Sequence, residues 1–171
     1  MSNGNGTPDL SAAQLREQFD RSFSEPERTG GAAPEPLLCI RVGGDPWAIR
    51  RSDVRRLVAD RRIVPVPSTA PSMVGVLGLR GELIPVHSLR ALLGYRAEPP
   101  SRWAIVAESA APLALAFDFF EGQLLVPPQQ LTAGAAQPRP HVRAVIALQG
   151  TARSVLDLQS ILQLVTHGAG R

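Results

Sequence analysis

Residues 75–93 read GVLGLRGELIPVHSLRALL, and residues 144–162 read AVIALQGTARSVLDLQSIL. Slid by 69 positions, the stretches coincide at Val76/Val145, Leu79/Leu148, Gly81/Gly150, Val86/Val155, Leu89/Leu158 and Leu93/Leu162. Leu77/Ile146 and Leu92/Ile161 are close replacements. The apolar positions carry the match, and a glycine falls at the same turn in both. Each copy spells strand, tight turn, strand, helix. In the first, the runs 74–79 and 83–86 flank Arg80-Gly81-Glu82 as a hairpin. Ser88 then caps a helix through Leu93, and Gly94 ends it. Constant spacing over the whole stretch marks an internal duplication. Two β-rich units of this size are each too small to be stable alone, so they must fuse across a shared core.

Working outward, 38–42 and 47–49 read as a hairpin around Gly43-Gly44-Asp45-Pro46. Ser52 is placed to cap a short helix over 53–59, with Val54, Leu57 and Val58 on one side. Residues 63–67, IVPVP, are extended, because proline forbids helix and tolerates a sheet edge. The runs 103–107 and 113–117 flank a turn around Pro112, and a broken segment with Pro127-Pro128 follows. Strands at 142–148 and 154–156 and a helix from Asp157 to about Val165 close the order.

The chain has 171 residues, 18 of them arginine and none lysine. Fifteen acids leave a formal charge of +3. This modest value argues against an arm-type nucleic-acid binder and leaves room for a small basic face. Hydrophobic residues make up 44% and charged residues 19%, enough apolar mass for a core. Residues 1–36 differ: three arginines stand against six acids, a net −3, leaving +6 for the rest. They read as a mobile tail with one short helix, 11–23. Ser11 and Gln14 are spaced as a capping box there, and Ala12, Leu15, Phe19 and Phe23 form one apolar stripe. The start lacks a secretory signal, and no apolar run approaches the roughly 20 residues of a membrane helix. The expected setting is cytoplasmic, with no membrane insertion. A lone cysteine, Cys39, sits in an apolar run and reads as a buried structural thiol.

Residues 75–90 resemble the CheW family pattern G-V-I-N-L-R-G-x-V-I-P-V-x-D-L-R. The run IVPVPSTAP at 63–71 is similar to the family's I-P-x-x-P segment, and Ser154-Val155-Leu156-Asp157-Leu158 to its closing I-L-D-x-E-x-L. The likeness spans about 36–165. It implies a mainly β fold, two small SH3-like five-stranded β-barrels side by side with short helices. On the repeat, these subdomains fall at roughly 37–95 and 102–165 of a domain spanning 37–168. The resemblance also implies a non-enzymatic adaptor. CheW proteins join the cytoplasmic tips of methyl-accepting chemoreceptors to the regulatory domain of the histidine kinase CheA, itself CheW-like, so the partners implied are a receptor tip and either that domain or other CheW-like proteins. By that analogy the receptor-facing residues are Val54, Arg56, Gly75 and Arg80. Gly75 also suits close packing, Val54 a core position, and Arg80 an ordinary solvated turn. There are departures. Gly78 stands where the family has asparagine, Ser88 where it has aspartate, and Arg56 where it usually has an acid. Arg56 and Arg80 would then be two cations close together, which is unfavourable at short range. The resemblance therefore implies a divergent member that keeps some of the usual contacts, and in which Arg56→Glu strengthens receptor coupling.

The runner-up reading is a basic barrel binding nucleic acid through Arg50, Arg51, Arg55, Arg56, Arg61 and Arg62, which carry net +4 with Asp53 and Asp60. On a helix Arg51 and Arg55 would share a face, but the stretch has no stacking aromatics. An enzyme is the third class. His87, His141 and His167 are scattered, and Asp118 and Glu121 lack a matched acid or base. No phosphate loop, G-x-S-x-G, H-E-x-x-H or cysteine pair is present, so no cofactor, metal or catalytic residue is expected.

Overall fold

Every second residue of β1 (Glu35–Val42) enters a different core. Leu37 joins one apolar cluster, while Leu38 and Ile40 join another. A strand buried on both faces lies between two layers, and the rest of the topology explains why. The structure is a computed structural model describing residues 32–96, 101–133, 140–148 and 150–168. Residues 33–171 cluster as one compact unit. The expected mobile tail and its helix at 11–23 lie outside the described residues, except that Glu35 and Pro36 already belong to β1.

β2 (Asp45–Arg50) follows, then a 3-10 turn (Arg51–Asp53), β3 (Val54–Ala59), β4 (Ile63–Val64), β5 (Met73–Leu79), β6 (Glu82–Ser88) and the short α1 (Leu89–Leu92). The second half repeats the order. It has β7 (Trp103–Ala107), β8 (Ala114–Phe117), β9 (Phe119–Val126), a 3-10 turn (Pro128–Gln130), β10 (Thr132–Ala133), β11 (Val142–Leu148), β12 (Thr151–Leu156) and α2 (Leu158–Gly168). The duplication extends to details. Register shifts fall at Met73/Gly75 and again at Val142/Ala144, 69 positions on. Ser88 Oγ accepts from Ala91 N, and Asp157 Oδ1, the matching cap, accepts from Ser160 N.

The sheets do not follow the halves. One runs β10-β11-β12-β2-β1-β9 and the other β3-β7-β8-β6-β5-β4. Each half lends its first hairpin to the other's sheet. The β1–β2 hairpin joins through the parallel pair β12–β2 (Ser154↔Trp47), and β7–β8 through the parallel pair β6–β8 (Val86↔Ala114). The subdomains expected at 37–95 and 102–165 are therefore interleaved rather than consecutive. Alternation in a sequence reports which face is buried, not which strand lies alongside. Each sheet has five strands of four residues or more and one two-residue edge strand.

Both sheets have apolar clusters of their own. Val58, Leu77, Ile84, Val86, Val106, Ala114 and Ala116, drawn from β3 and β5–β8, form one cluster. Leu37, Ala48, Val126, Ala144, Ile146 and Val155 form the other. The largest cluster binds sheet to sheet and takes in α2 through Leu158, Ile161, Leu162 and Val165, with Phe117 and Leu115 fully buried in it. Cys39 is buried as expected, and burial pushes its thiol pKa up despite nearby Arg153.

The helix expected over 53–59 is strand β3. A bulge at Arg55, between the pairs Val54↔Ala107 and Arg56↔Val106, adds one residue to the strand. Val54 and Leu57 then face the same shared core three positions apart, which imitates helical spacing. Strand β9, read only as a broken segment, is another departure. Gly122 and the polar Glu121 and Gln123 interrupt its apolar pattern, yet it pairs with β1 from Glu35↔Val126 to Arg41↔Phe119.

Glu121 ties this region together. Its carboxylate accepts from Arg41 Nε at 2.6 Å and from Arg153 Nη2 at 2.6 Å. Arg153 also donates to the Trp47 carbonyl at 2.8 Å, so one ion cluster spans β1, β2, β9 and β12. Burial alone would raise the Glu121 pKa, but hydrogen bonds from Arg153 and Arg41 outweigh it and lower it. A carboxylate with a depressed folded pKa stabilises fully above its ordinary pKa and loses that contribution as pH falls through the depressed one. Glu121→Gln is expected to cost about 1–2 kcal/mol at pH 7. The variant should also lose less stability than the parent on acidification from about pH 5 to 3 in urea titrations.

Candidate functional site

The hairpin β5–β6 turns through only two residues, with Leu79 paired to Glu82. Arg80 has φ 51° and Gly81 φ 84°, the double-positive pattern of a tight I′ turn. This conformation suits asparagine or glycine and is costly for arginine at the first position. The exposed Arg80 therefore sits there against local backbone preference. Arg80→Asn is expected to keep or raise stability by up to about 1 kcal/mol, read from the denaturant midpoint, while deleting the cation. A loss of stability would mean that Arg80 serves the fold.

Arg80 shares a groove of about 130 Å³ with Arg55, Arg56 and Glu82. Its apolar lining is Leu79, Ile84 and Val106, and the last two belong to the core of their sheet. The groove thus opens onto one end of that core. Adjacent strand residues normally point to opposite faces, so Arg55 and Arg56 reach one groove only because of the β3 bulge. Among the described residues the side chains of Arg55, Arg56 and Arg80 make no hydrogen bond or ion pair. Other arginines are paired with acids: Arg41 and Arg153 with Glu121, Arg50 with Glu35, Arg90 with Asp118 and Arg102 with Asp60.

Of the four residues singled out for a receptor surface, Arg56 and Arg80 come together here. Val54, 3% exposed, faces the core between the sheets. Gly75 is buried with φ 148°, and a Cβ on it would lie 2.2 Å from the Val64 carbonyl oxygen. These two shape the region from beneath. Sequence reasoning named Arg55 only within the arginine run and did not set it beside Arg56 and Arg80, because the bulge that turns it toward the groove has no signature in composition. It missed Leu83, the most exposed large apolar side chain among the described residues at 74%.

The long arginine run does not make one surface. Arg50 pairs with Glu35, Arg51 donates to the Val54 carbonyl, Arg55 and Arg56 line the groove, and Arg61 and Arg62 border a separate hollow with Arg102. The shared helix face expected for Arg51 and Arg55 does not exist, since β3 is extended. Asp118 holds the fold, accepting from the Gly43 amide at 2.7 Å and from Arg90 at 3.1 Å. His87 is buried with Nδ1 3.0 Å from Ser72 Oγ, and burial lowers its pKa. His141 meets Ser160 Oγ at 2.8 Å, and His167 lies on exposed α2 surface. Among the described residues no cluster of His, Cys, Asp and Glu is suited to hold a metal ion. Nor is any described helix long and apolar enough to cross a membrane.

The family model described as CheW-like domain matches residues 36–166, all of both sheets but the first residue of β1. The chain belongs to the CheW-like domain family. A curated relative, the chemotaxis protein CheW of Rhizobium meliloti (strain 1021), is 26% identical over 137 residues, covering 73% of this chain and 85% of the relative. The crystal structure of the scaffolding protein TtCheW from Thermoanaerobacter tengcongensis is similar in fold. Its TM-score is 0.65 at 18% identity, covering 72% of this chain and 88% of that one. The CheW-like fold thus accounts for the two sheets on which the arginine-rimmed groove sits.

Proposed function

We propose that this protein is a cytoplasmic, non-enzymatic adaptor that couples chemoreceptor tips to a CheA-type histidine kinase in a bacterial chemosensory pathway. The observation that carries the reading is the CheW-like domain over residues 36–166, supported by its chemotaxis and scaffolding relatives. Arg56 and Arg80 are the receptor contacts, with Val54 and Gly75 holding the strands that present them. A scaffold of this kind works through coupled binding free energies, so its sites are grooves and strand edges rather than reacting groups. Arg56, where the family usually has an acid, and Gly78, where it has asparagine, mark a member whose set of contacts has changed. The nucleic-acid reading has no support beyond the arginine run, which the fold divides.

Reconstitution tests the adaptor directly. The purified chain, added to receptor-containing membranes and a CheA-type kinase from the same cell, is expected to bring kinase into the membrane pellet and alter its autophosphorylation. No co-sedimentation with either partner would overturn the proposal. Retention of receptor binding without kinase binding would fit the divergent form.

A further inference from the structure

We infer that the groove between β3 and the β5–β6 turn selects an acidic helical tip, one carrying two or more carboxylates around an apolar side chain. The inference rests on the adaptor reading above and adds the chemistry of the partner. Three guanidiniums and one carboxylate rim the groove, a net +2 over an apolar floor. Arg55, Arg56 and Arg80 have no acid of their own among the described residues. Gathering like charges beside an apolar floor is unfavourable in the free protein, and an incoming carboxylate relieves it. Arginine suits the task because its planar fork meets a carboxylate in two parallel hydrogen bonds. Leu79, Ile84 and Val106 supply the contact for an apolar anchor. On a helix, acids three or four residues from that anchor fall on its face and reach the rim.

The fold builds this charge deliberately enough to be read. The bulge in β3 turns Arg55 toward Arg56, and the I′ turn holds Arg80 in a conformation that arginine does not prefer. Both devices aim cations at one opening. The family resemblance predicts that Arg56→Glu restores coupling; the groove as built predicts the reverse for this chain's own receptor.

The test uses the full chain and cytoplasmic receptor fragments from the same cell, each with its native tip and with the tip Asp and Glu replaced by Asn and Gln. Affinity is measured by titration calorimetry at low and physiological salt. Native fragments are expected to bind, and neutralising the tip acids should weaken binding about tenfold or more. Arg56→Glu and Arg80→Glu should weaken it similarly, Glu82→Gln should not, and added salt should weaken all of it. Arg56→Gln and Arg80→Asn serve if a charge reversal fails to fold. Binding indifferent to the tip acids, or tightened by Arg56→Glu, overturns this inference and leaves the adaptor standing. Failure of every fragment to bind overturns both. The acidic residues 1–36 are the rival occupant. If Glu17→Gln with Asp20→Asn raises affinity for native tips, the tail competes with them for the groove, which supports placing the acidic tips there.

Discussion

Cut within residues 97–100, the chain is expected to give two fragments, neither of which folds alone. Consecutive barrels would survive such a cut; interleaved sheets do not. Fragment 1–96 would keep β1 and β2 but lose β9 and β12, the strands that flank them. Leu37, Ile40 and Ile49, all fully buried in the whole protein, would be left uncovered. The same fragment would lose β7 and β8, which lie between β3 and β6. A domain of this size holds only about 5–15 kcal/mol of net stability, and the burial forfeited on both faces of the hairpin is of the same order as that margin. Each fragment should show a disordered far-ultraviolet spectrum and narrow amide dispersion, and mixing the two should restore the native spectrum. A cooperative melt from 1–96 alone would contradict the exchange.

Gly75→Ala is expected to cost at least about 3 kcal/mol and to lower Tm by roughly 10 °C. Two effects add. At φ 148° the backbone is in a region that L side chains rarely adopt. The new methyl would also meet the backbone carbonyl of Val64 rather than a yielding side chain. Relief requires β4 to move off β5, breaking the pairs Ile63↔Leu77 and Val64↔Val76. Residue 144, the same position in the second copy, is already alanine, and its φ is not positive. The repeat thus supplies its own control: Ala144→Gly should cost well under half as much. Comparable losses at both positions, by thermal melts, would refute the steric argument.

The β5–β6 hairpin was legible because two independent signals agreed there: apolar alternation and a glycine, Gly81, where the turn needs positive φ. Its helix cap was legible for the same kind of reason, since Ser88 and Asp157 are placed alike in both copies. Residues 54–59 misled because a bulge converts the period of a strand into that of a helix, and no residue type announces a bulge there. Exchange of the hairpins lay beyond reading, because β1 and β7 would carry the same alternation in either sheet. Arg56 and Arg80 were brought together by the family resemblance. Arg55, named only in the arginine run, joined them through the fold. Asp118 and Glu121, unmatched as catalytic acids, proved to be anchors whose partners lie 28 to 80 positions away in the chain, a distance over which spacing carries no information.

The exchanged hairpins also set a timetable. On the ribosome β1 and β2 emerge first, yet β2 finds its parallel neighbour only in β12, at Ser154 and Val155. The sheet containing β3–β8 can close once Phe117 has left the exit tunnel, while the earliest-made hairpin waits, its apolar faces exposed, for nearly the last strand synthesised. Such long-range pairing slows folding. Of the described strands, those of this hairpin wait longest during synthesis for their remaining neighbours.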